Sequence, residues 1–574
     1  MLNITNTPFS TFGSYMALAY YDENKSYQGI IANPKGNGLY LKSVKGKSRH
    51  CNGVIKFIPM INGQLEEYQI QYDFHQIKLY NDKFEIKICF ESEDVLVLYA
   101  KGNGLSLILD TLPQTMYDYS FELENQNHKY YVVNSYKSQT KYFISSDHDI
   151  ELRQEYASDM QGTLESHLIV NADEFYISIQ DIPTHLNKKV NIEYNYEMIE
   201  QKAKKRFDDY VTLFKTTDEK YSKSYKEAIY TTWSATVKPQ GLLKRSATYM
   251  SNTFFPGIWS WDQCFNTVGL MEADPILAYN NMMVVFDFQD ENGQIPGSVN
   301  DSNIHWNFAK PPVQAIFIDK MLEKISLSDV QLNELFDKLN KQIHYWLNYH
   351  DCNEDGIPEY HHGNDSGFDN STVFIDTFIV DSPDLSAYLI KGFEVLEKIG
   401  SKIGKNINIL TKEKNELINR FIDTFVCDGN LVARETISRK IIKCDSILPY
   451  MSLVIAKYLP KDLTNNMVDT LKKDFMGEFG LSTEKTNSPY YDPDGYWRGP
   501  IWAPETVIII DALLDMNEID FAKELMIKFA ELLHQNGFYE NFNALTGKGL
   551  RDPAHTWTSS SFIYVLNKLE ELSK

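Results

Sequence analysis

A chain of 574 residues, 43% hydrophobic and 13% aromatic with 36 Tyr and 32 Phe, carries enough apolar material for more than one large core, which excludes a miniature fold and bulk disorder. Its formal charge of −22, from 56 Lys and Arg against 78 Asp and Glu, repels phosphate backbones and anionic lipid, so no nucleic acid and no membrane partner is expected. Cys51, Cys89, Cys264, Cys352, Cys427 and Cys444 form no CxxC pair and read as buried thiols in a reducing compartment; with no leader-like start and no run of about 18 apolar residues, a cytoplasmic location is expected.

From about Gly53 to Ile182 the pattern is one of short alternating segments. In 83–90, Phe84, Ile86, Ile88 and Phe90 alternate with Lys83, Glu85, Lys87 and Cys89, the period of a strand with one face buried. Similar runs occupy 66–80, 94–100, 105–111, 129–135 and 165–180, separated by Asn, Asp, Gly and Ser with no helix-length pattern between them. Antiparallel hairpins follow from that spacing. Residues 1–198 are expected to form an antiparallel β-sandwich, and 199–220 a charged helical linker.

Beyond the linker the period is that of helices. In 328–350, Leu332, Leu335, Phe336, Leu339, Ile343, Trp346 and Leu347 share one face behind Ser328 as N-cap; another helix runs from Ser382 and Pro383 to a stop at Gly400. Twelve helices are expected, near 221–237, 261–271, 275–290, 311–324, 328–350, 383–399, 408–426, 444–457, 461–474, 500–516, 520–536 and 556–572. Their connectors alternate between short ones and long ones, the long ones at 238–260, 291–310, 351–382, 427–443, 475–499 and 537–555. In a ring of antiparallel helices every long connector then falls at the same end. The expected fold class is α+β multidomain, the β-sandwich followed by an (α/α)6 barrel over 221–574 with one loop-rich face.

Four segments on that face stand out: FFPGIWSWDQCF (254–265), NEDGIPEYHHGNDSGFDNS (353–371), YYDPDGYWRGPIWAPE (490–505) and FYENFNALTGKGLRDPAHTWTSS (538–560). Each joins a carboxylate to aromatic residues and to Gly or Pro. Apolar faces beside acids suit a neutral polyhydroxylated ring, whose C–H faces pack on aromatics while its hydroxyls meet carboxylates, so a small carbohydrate is the expected ligand.

The WSWDQ, DSGFDNS, YWRGPIW and YENFNALTG segments, in this order, resemble glycoside hydrolase family 63, whose members cleave α-glucosides, mannosylglycerate and glucosylglycerate with inversion. The resemblance implies that Asp369 protonates the glycosidic oxygen and that Glu540 activates water. An inverting hydrolase needs such a pair about 6.5–9.5 Å apart. It further implies that Trp261 and Asp262 hold the sugar, with Phe368, Tyr496, Trp497, Arg498 and Trp502 as walls and Gln314 as a further contact; Trp502 also reads as core, and His555 and Trp557 as a structural helix start. The aromatic residues around Asp369 are expected to keep it protonated by burial. A hydrolase of α-glycosides, with an α-glucoside as the expected substrate, is the resulting reading. Two other readings stay open: a disaccharide phosphorylase, which would need a basic cluster where Glu540 stands and has only Arg498, Lys548 and Arg551 nearby, and a non-catalytic carbohydrate-binding protein.

Asp351, Asn353, Asp355, Ile357 and Glu359 have the DxNxDG spacing that places alternate oxygens around Ca²⁺, with Gly356 at the turn, although His362 stands at the twelfth position where an EF-hand has Glu. A structural calcium ion steadying the loop that leads to Asp369 is expected; the other reading is an Asx turn.

Overall fold

The computed structural model describes residues 3–32, 34–46, 52–125, 128–156, 163–182 and 194–574, so Cys51 lies outside the described residues. It divides into two compact units. One comprises Met1–Phe214, Ile229–Gly257 and Asn300–Asn303, the other Lys215–Ala228, Ile258–Val299 and Ile304–Lys574.

The first unit is a sandwich of strands β1 (Met16–Tyr21), β2 (Gly38–Ser43), β3 (Asn52–Ile61), β4 (Gln64–Leu65), β5 (Gln69–Tyr72), β6 (Ile77–Tyr80), β7 (Phe84–Ser92), β8 (Val95–Gly102), β9 (Leu105–Thr111), β10 (Tyr119–Asn125), β11 (His128–Ser135), β12 (Thr140–Ser146), β13 (Ile150–Tyr156), β14 (Leu164–Asn171) and β15 (Glu174–Ile182). One antiparallel sheet has the order β1-β2-β3-β9-β14-β13 with β4 on β3, the other β10-β11-β12-β15-β8-β7-β6-β5. In β7 the side chains of Phe84, Ile86 and Ile88 are buried and Glu85 and Lys87 half-buried, as the alternation requires. At Cys89 the alternation stops. There the outer face is covered by α1 (Tyr196–Val211), whose Tyr196, Ile199 and Ala203 pack with Cys89, Val95 and Val97. The segment expected as a linker thus holds a helix seated on the sheet.

Helices stand near each of the twelve expected positions: α2 (Ser222–Ala235), α3 (Asp262–Leu270), α4 (Pro275–Met283), α5 (Gln314–Lys324), α6 (Asp329–Tyr349), α7 (Pro383–Lys402), α8 (Asn408–Phe425), a 3-10 helix (Leu448–Tyr458), α9 (Lys461–Thr470), α10 (Ala503–Asp515), α11 (Ile519–Asn536) and α12 (Thr556–Ser573). In the second unit α3, α5, α7, the 3-10 helix, α10 and α12 pack each on the next, and α12 closes on α3. This is the inner ring of an (α/α)6 barrel. α6, α8 and α11 bury one face only, as outer helices do. Each inner helix follows a long connector, so all six begin at one end. There small antiparallel sheets tie the connectors in pairs: 258–259 with 298–299, 380–381 with 433–435, and 501–502 with 541–542.

Three local expectations are corrected. Gly400 does not stop α7, which continues to Lys402; a Cβ at Gly400 would meet Ile407 and Phe336 at 2.8 and 3.0 Å, so this glycine serves a close approach, and Gly404 at φ +72° makes the turn. The eighth helix is 3-10, begins at Leu448 with Pro449 next, and breaks at Ile455 (φ −115°, ψ 20°). Of the described cysteines only Cys89 and Cys264 are buried; Cys352 sits exposed in a turn, because the polar segment around it has no apolar face to cover it. Among the described residues no helix is long and apolar enough to cross a membrane.

The closure of the ring is testable at Gly269 on α3, where a Cβ would lie 2.5 Å from the Ser560 carbonyl oxygen of α12. Gly269→Val is expected to cost about 1–3 kcal/mol by overpacking, read as a lower urea midpoint; an unchanged midpoint would show that the two helices part freely.

Candidate active site

The chain that carries Asp369 is shaped by two glycines. A 3-10 turn, Gly363–Ser366, ends at Gly367 with φ +78°, and a Cβ on Gly367 would come within 2.8 Å of the Trp261 ring. Only glycine allows both the left-handed backbone and that indole face. A Cβ on Gly363 would strike the Asp369 carbonyl oxygen at 2.4 Å. Phe368 follows, buried, with its ring 4.2 Å from that of Trp497 and 6.5 Å from that of Trp261.

Asp369 itself is 35% exposed, and Lys310 Nζ donates to its Oδ1 at 3.1 Å. The burial expected to keep this acid protonated is not found, since a third of its side chain is exposed and the Lys310 ammonium pairs with it. Lys310 is buried and donates also to the Asn364 carbonyl and side-chain oxygens at 2.9 and 2.6 Å. Asn370 clamps the next loop: its Nδ2 donates to the Gly495 carbonyl at 3.0 Å and its Oδ1 accepts from the Trp497 N–H at 2.9 Å. Asp365 accepts from the Ala309 N–H at 3.2 Å and thereby joins the acid loop to the segment before Lys310.

Glu540 is almost fully buried on the opposite loop, where its N–H donates to the Asp552 carbonyl at 2.7 Å. Burial, with Asp552 alongside, pushes its carboxyl up to about 8, against the pull of Arg551 and of Tyr496, which donates to Oε1 at 3.3 Å. Tyr496 holds φ at +63° and Arg551 at +65°, both uncommon for residues with a side chain. The Arg551 guanidinium lies 4.9 Å over the Tyr496 ring and is anchored by Asn541 Oδ1 and the Asp494 carbonyl, each at 2.9 Å. The Tyr496 phenol is raised well above its usual range by burial first, then by Glu540 and Asp369. Both acids are thus felt at one hydroxyl.

Asp262 opens α3 and is buried; burial pushes its carboxyl up to about 7, opposed by Lys310 and reinforced by Asp369, and its Oδ2 has no hydrogen-bond partner. Beneath these acids lies an aromatic floor. Trp497 stacks on Trp502 at 3.9 Å and 7°, and Trp557 meets Trp261 and Trp502 edge-on at 5.6 Å each. Trp502 is fully buried and donates to the Tyr496 carbonyl at 2.9 Å, so it supports the wall from behind. Gln314 is also fully buried, with its Nε2 on the Ser260 carbonyl at 2.9 Å and its Oε1 accepting from Gln342 at 2.7 Å; it holds the strand end that leads to Trp261. Arg498 is half-buried with its Nε unpartnered. Lys310, Asp365, Asn370 and Asp552 are the site members that sequence reasoning did not single out; the last three lie inside motifs it quoted, and Lys310 lies outside them all.

The 351–359 loop closes on itself. Asp351 accepts from the N–H groups of Asp355 and Gly356 at 3.0 and 2.9 Å, Asp355 Oδ1 from the Ile357 N–H at 2.9 Å, and Glu359 from the Cys352 N–H at 3.0 Å. Asp355 Oδ2 meets Arg439 at 2.6 Å, and Asn353 Nδ2 donates to the Thr436 carbonyl at 3.0 Å. These oxygens are committed to N–H groups and a guanidinium, and among the described residues no group of three or more His, Cys, Asp or Glu side chains is arranged to hold a metal ion. Of this set, Asp355 Oδ2 is paired with a guanidinium, which opposes a cation there, and no step is routed through calcium.

Acids beside an aromatic floor, on the loop face of a six-hairpin barrel, are what a glycoside hydrolase requires, and the class is shown by the family match. The family model of the MGH1-like glycoside hydrolase domain of mannosylglycerate hydrolases matches residues 255–558. The chain belongs to this family, which is of the glycoside hydrolase family 63 type. Mannosylglycerate hydrolase MGH2 of Selaginella moellendorffii is 19% identical over 54% of this chain and 80% of its own length. Mannosylglycerate hydrolase of Thermus thermophilus is 27% identical over 84 residues, a match spanning 15% of this chain and only 20% of that protein. A solved family 63 mannosylglycerate hydrolase, also from Thermus thermophilus, in complexes with Tris and with glucose, superposes with TM-scores of 0.54 and 0.53 at 16% and 17% identity, covering 59% of this chain and 99% of the other. That likeness is one of fold.

Arg439 also pairs with buried Asp381, whose carboxyl burial pushes up to about 6. Arg439→Met is expected to lower stability by about 1–2 kcal/mol, since the guanidinium is partly exposed, while neither calcium nor a chelator moves the wild-type melt. A rise of the melting temperature with calcium concentration would instead show a bound ion.

Proposed function

We propose that the chain is an inverting glycoside hydrolase that cleaves the α-glycosidic bond of a small glycoside, an α-glucoside in the first instance, with Asp369 as general acid and Glu540 as general base. The observation that carries this reading is that both acids come, from different loops, to the 495–497 segment: Asn370, next to Asp369, bonds to Gly495 and Trp497, and Tyr496 between them donates to Glu540. Lys310 holds Asp369 through Oδ1, which leaves Oδ2 for the glycosidic oxygen. Glu540, oriented by Tyr496, takes a proton from the water that attacks the opposite face of the sugar, and the configuration inverts. Asp262 Oδ2, buried without a partner, is suited to accept from a ring hydroxyl. The names of the relatives, mannosylglycerate hydrolase, support a hexosyl group joined to a small aglycone.

The phosphorylase alternative needs cations free to bind phosphate in place of the base. Glu540 stands in place of bound phosphate, and Arg551, the cation acting on it, is engaged by Asn541, Asp494 and the Tyr496 ring, which favours water as the nucleophile. A cytoplasmic site of action fits the five described cysteines, all free thiols.

Asp369→Asn and Glu540→Gln are each expected to lower kcat by about 10²–10⁴-fold, in wild-type reactions that release the β-anomer first by NMR and do not depend on added phosphate. The α-anomer as first product, or undiminished turnover in either variant, would refute the assignment.

Because Glu540 must be ionised to act and its carboxyl is pushed up to about 8, kcat/KM should climb as pH rises through about 8. Arg551 favours the charged form, so Arg551→Met should move that limb to higher pH. A profile already flat from pH 6 upward in the wild type would contradict the buried-base reading.

A further inference from the structure

A cavity of about 350 Å³ lies beside the acid loop, with Trp306, Asn307, Phe308, His361, His362 and Asn364 among its lining residues. We propose that this cavity is the leaving-group subsite and that it takes a second, neutral pyranose ring, so that the preferred substrate is a disaccharide-type glycoside. The proposal rests on the reading of Asp369 as the general acid, since the acid marks the side on which the leaving group departs.

Three observations support it. The cavity wall and the acid are one hydrogen-bonded unit, because Asn364 gives two oxygens to Lys310, whose ammonium also holds Asp369. Trp306 is 38% exposed, a flat apolar face of the kind on which the C–H side of a sugar ring packs. The polar groups around it are already held in place: the His361 ring stacks on that of His350 at 4.4 Å and bonds to Glu359 at 3.1 Å, and the His362 ring stacks on Phe378 at 5.3 Å. Side chains so held present donors and acceptors to ring hydroxyls at little entropic cost.

The size and charge of the cavity narrow the ligand. Its volume is near the lower end of the ligand-pocket range of roughly 300–1,000 Å³, which suits one ring rather than a chain. Lys310, the cation behind the wall, is taken up by Asn364 and Asp369, and the Asp365 carboxylate belongs to the lining. An acidic aglycone would therefore meet a carboxylate, an occupied ammonium and, in His361, an imidazole pushed up by Glu359 and already paired with it, whereas a neutral polyol meets amides and imidazoles.

The test compares the full chain with Trp306→Ala and Trp306→Phe on α-linked glucose disaccharides, on α-glucosyl fluoride, whose leaving group carries no ring, and on glucosylglycerate as an acidic small aglycone. Trp306→Ala should lower the ratio of kcat/KM for the best disaccharide to that for the fluoride by at least tenfold, chiefly through KM, and Trp306→Phe should restore most of it. A ratio that does not change, or a wild type that hydrolyses fluoride and glucosylglycerate but no disaccharide, overturns the neutral-ring subsite while leaving the hydrolase intact. Failure to hydrolyse any of the three overturns the α-glucoside reading on which the proposal rests.

Discussion

The second unit depends on six inner helices that all begin at the same end. A helix buried on nearly every side must place its polar groups at its termini, and the first turn, with its unpaired N–H groups and partial positive charge, is where a carboxylate is tolerated. Asp262, Asp384 and Glu505 occupy such first turns in α3, α7 and α10, and all three are buried. Glu505 accepts the Trp502 N–H at 2.5 Å, and Asp384 accepts from Tyr360 at 2.8 Å. The long connectors that feed these helices are consequently drawn to one face and tied there in pairs by short sheets.

On that face the two principal acids sit in contrasting surroundings. Glu540 is sealed in, with a tyrosine hydroxyl as its partner, whereas Asp369 is a third exposed and held by a lysine. The contrast arises from the backbone: Gly367 allows the acid loop to lie flat on Trp261, which turns Phe368 down into the floor and the next side chain up toward Lys310. An alternating glycine, aromatic and acid thus divide one short turn between packing and chemistry.

Much of this was legible in the residues. The change of period near residue 200, the alternation of short and long connectors and the four aromatic-acid segments led to the sandwich, the barrel and the loops that hold the site. What was not legible depended on neighbours remote in sequence. Nothing in β7 announced that α1 would cover Cys89, and nothing in the run to Gly400 distinguished a packing glycine from a terminating one, since both lack a Cβ for different reasons. Lys310 looked like an ordinary basic residue before two prolines; its importance comes from Asn364 and Asp369, more than fifty positions away. The DxNxDG spacing matched a cation loop, yet Arg439 pairs with Asp355 inside it, and a guanidinium from a distant hairpin leaves no local pattern.

The Asn370 side chain has a bearing on how such a protein can diverge. Its amide grips the 495–497 backbone from both sides, so the distance between the acid and the neighbouring wall is set by one residue rather than by the full length of the loop. Segments upstream, including 351–362, can then lengthen, shorten or drift in sequence without carrying Asp369 out of register. The outer part of the loop is thereby freed from fixing where Asp369 stands beside the 495–497 segment, a task left to one amide.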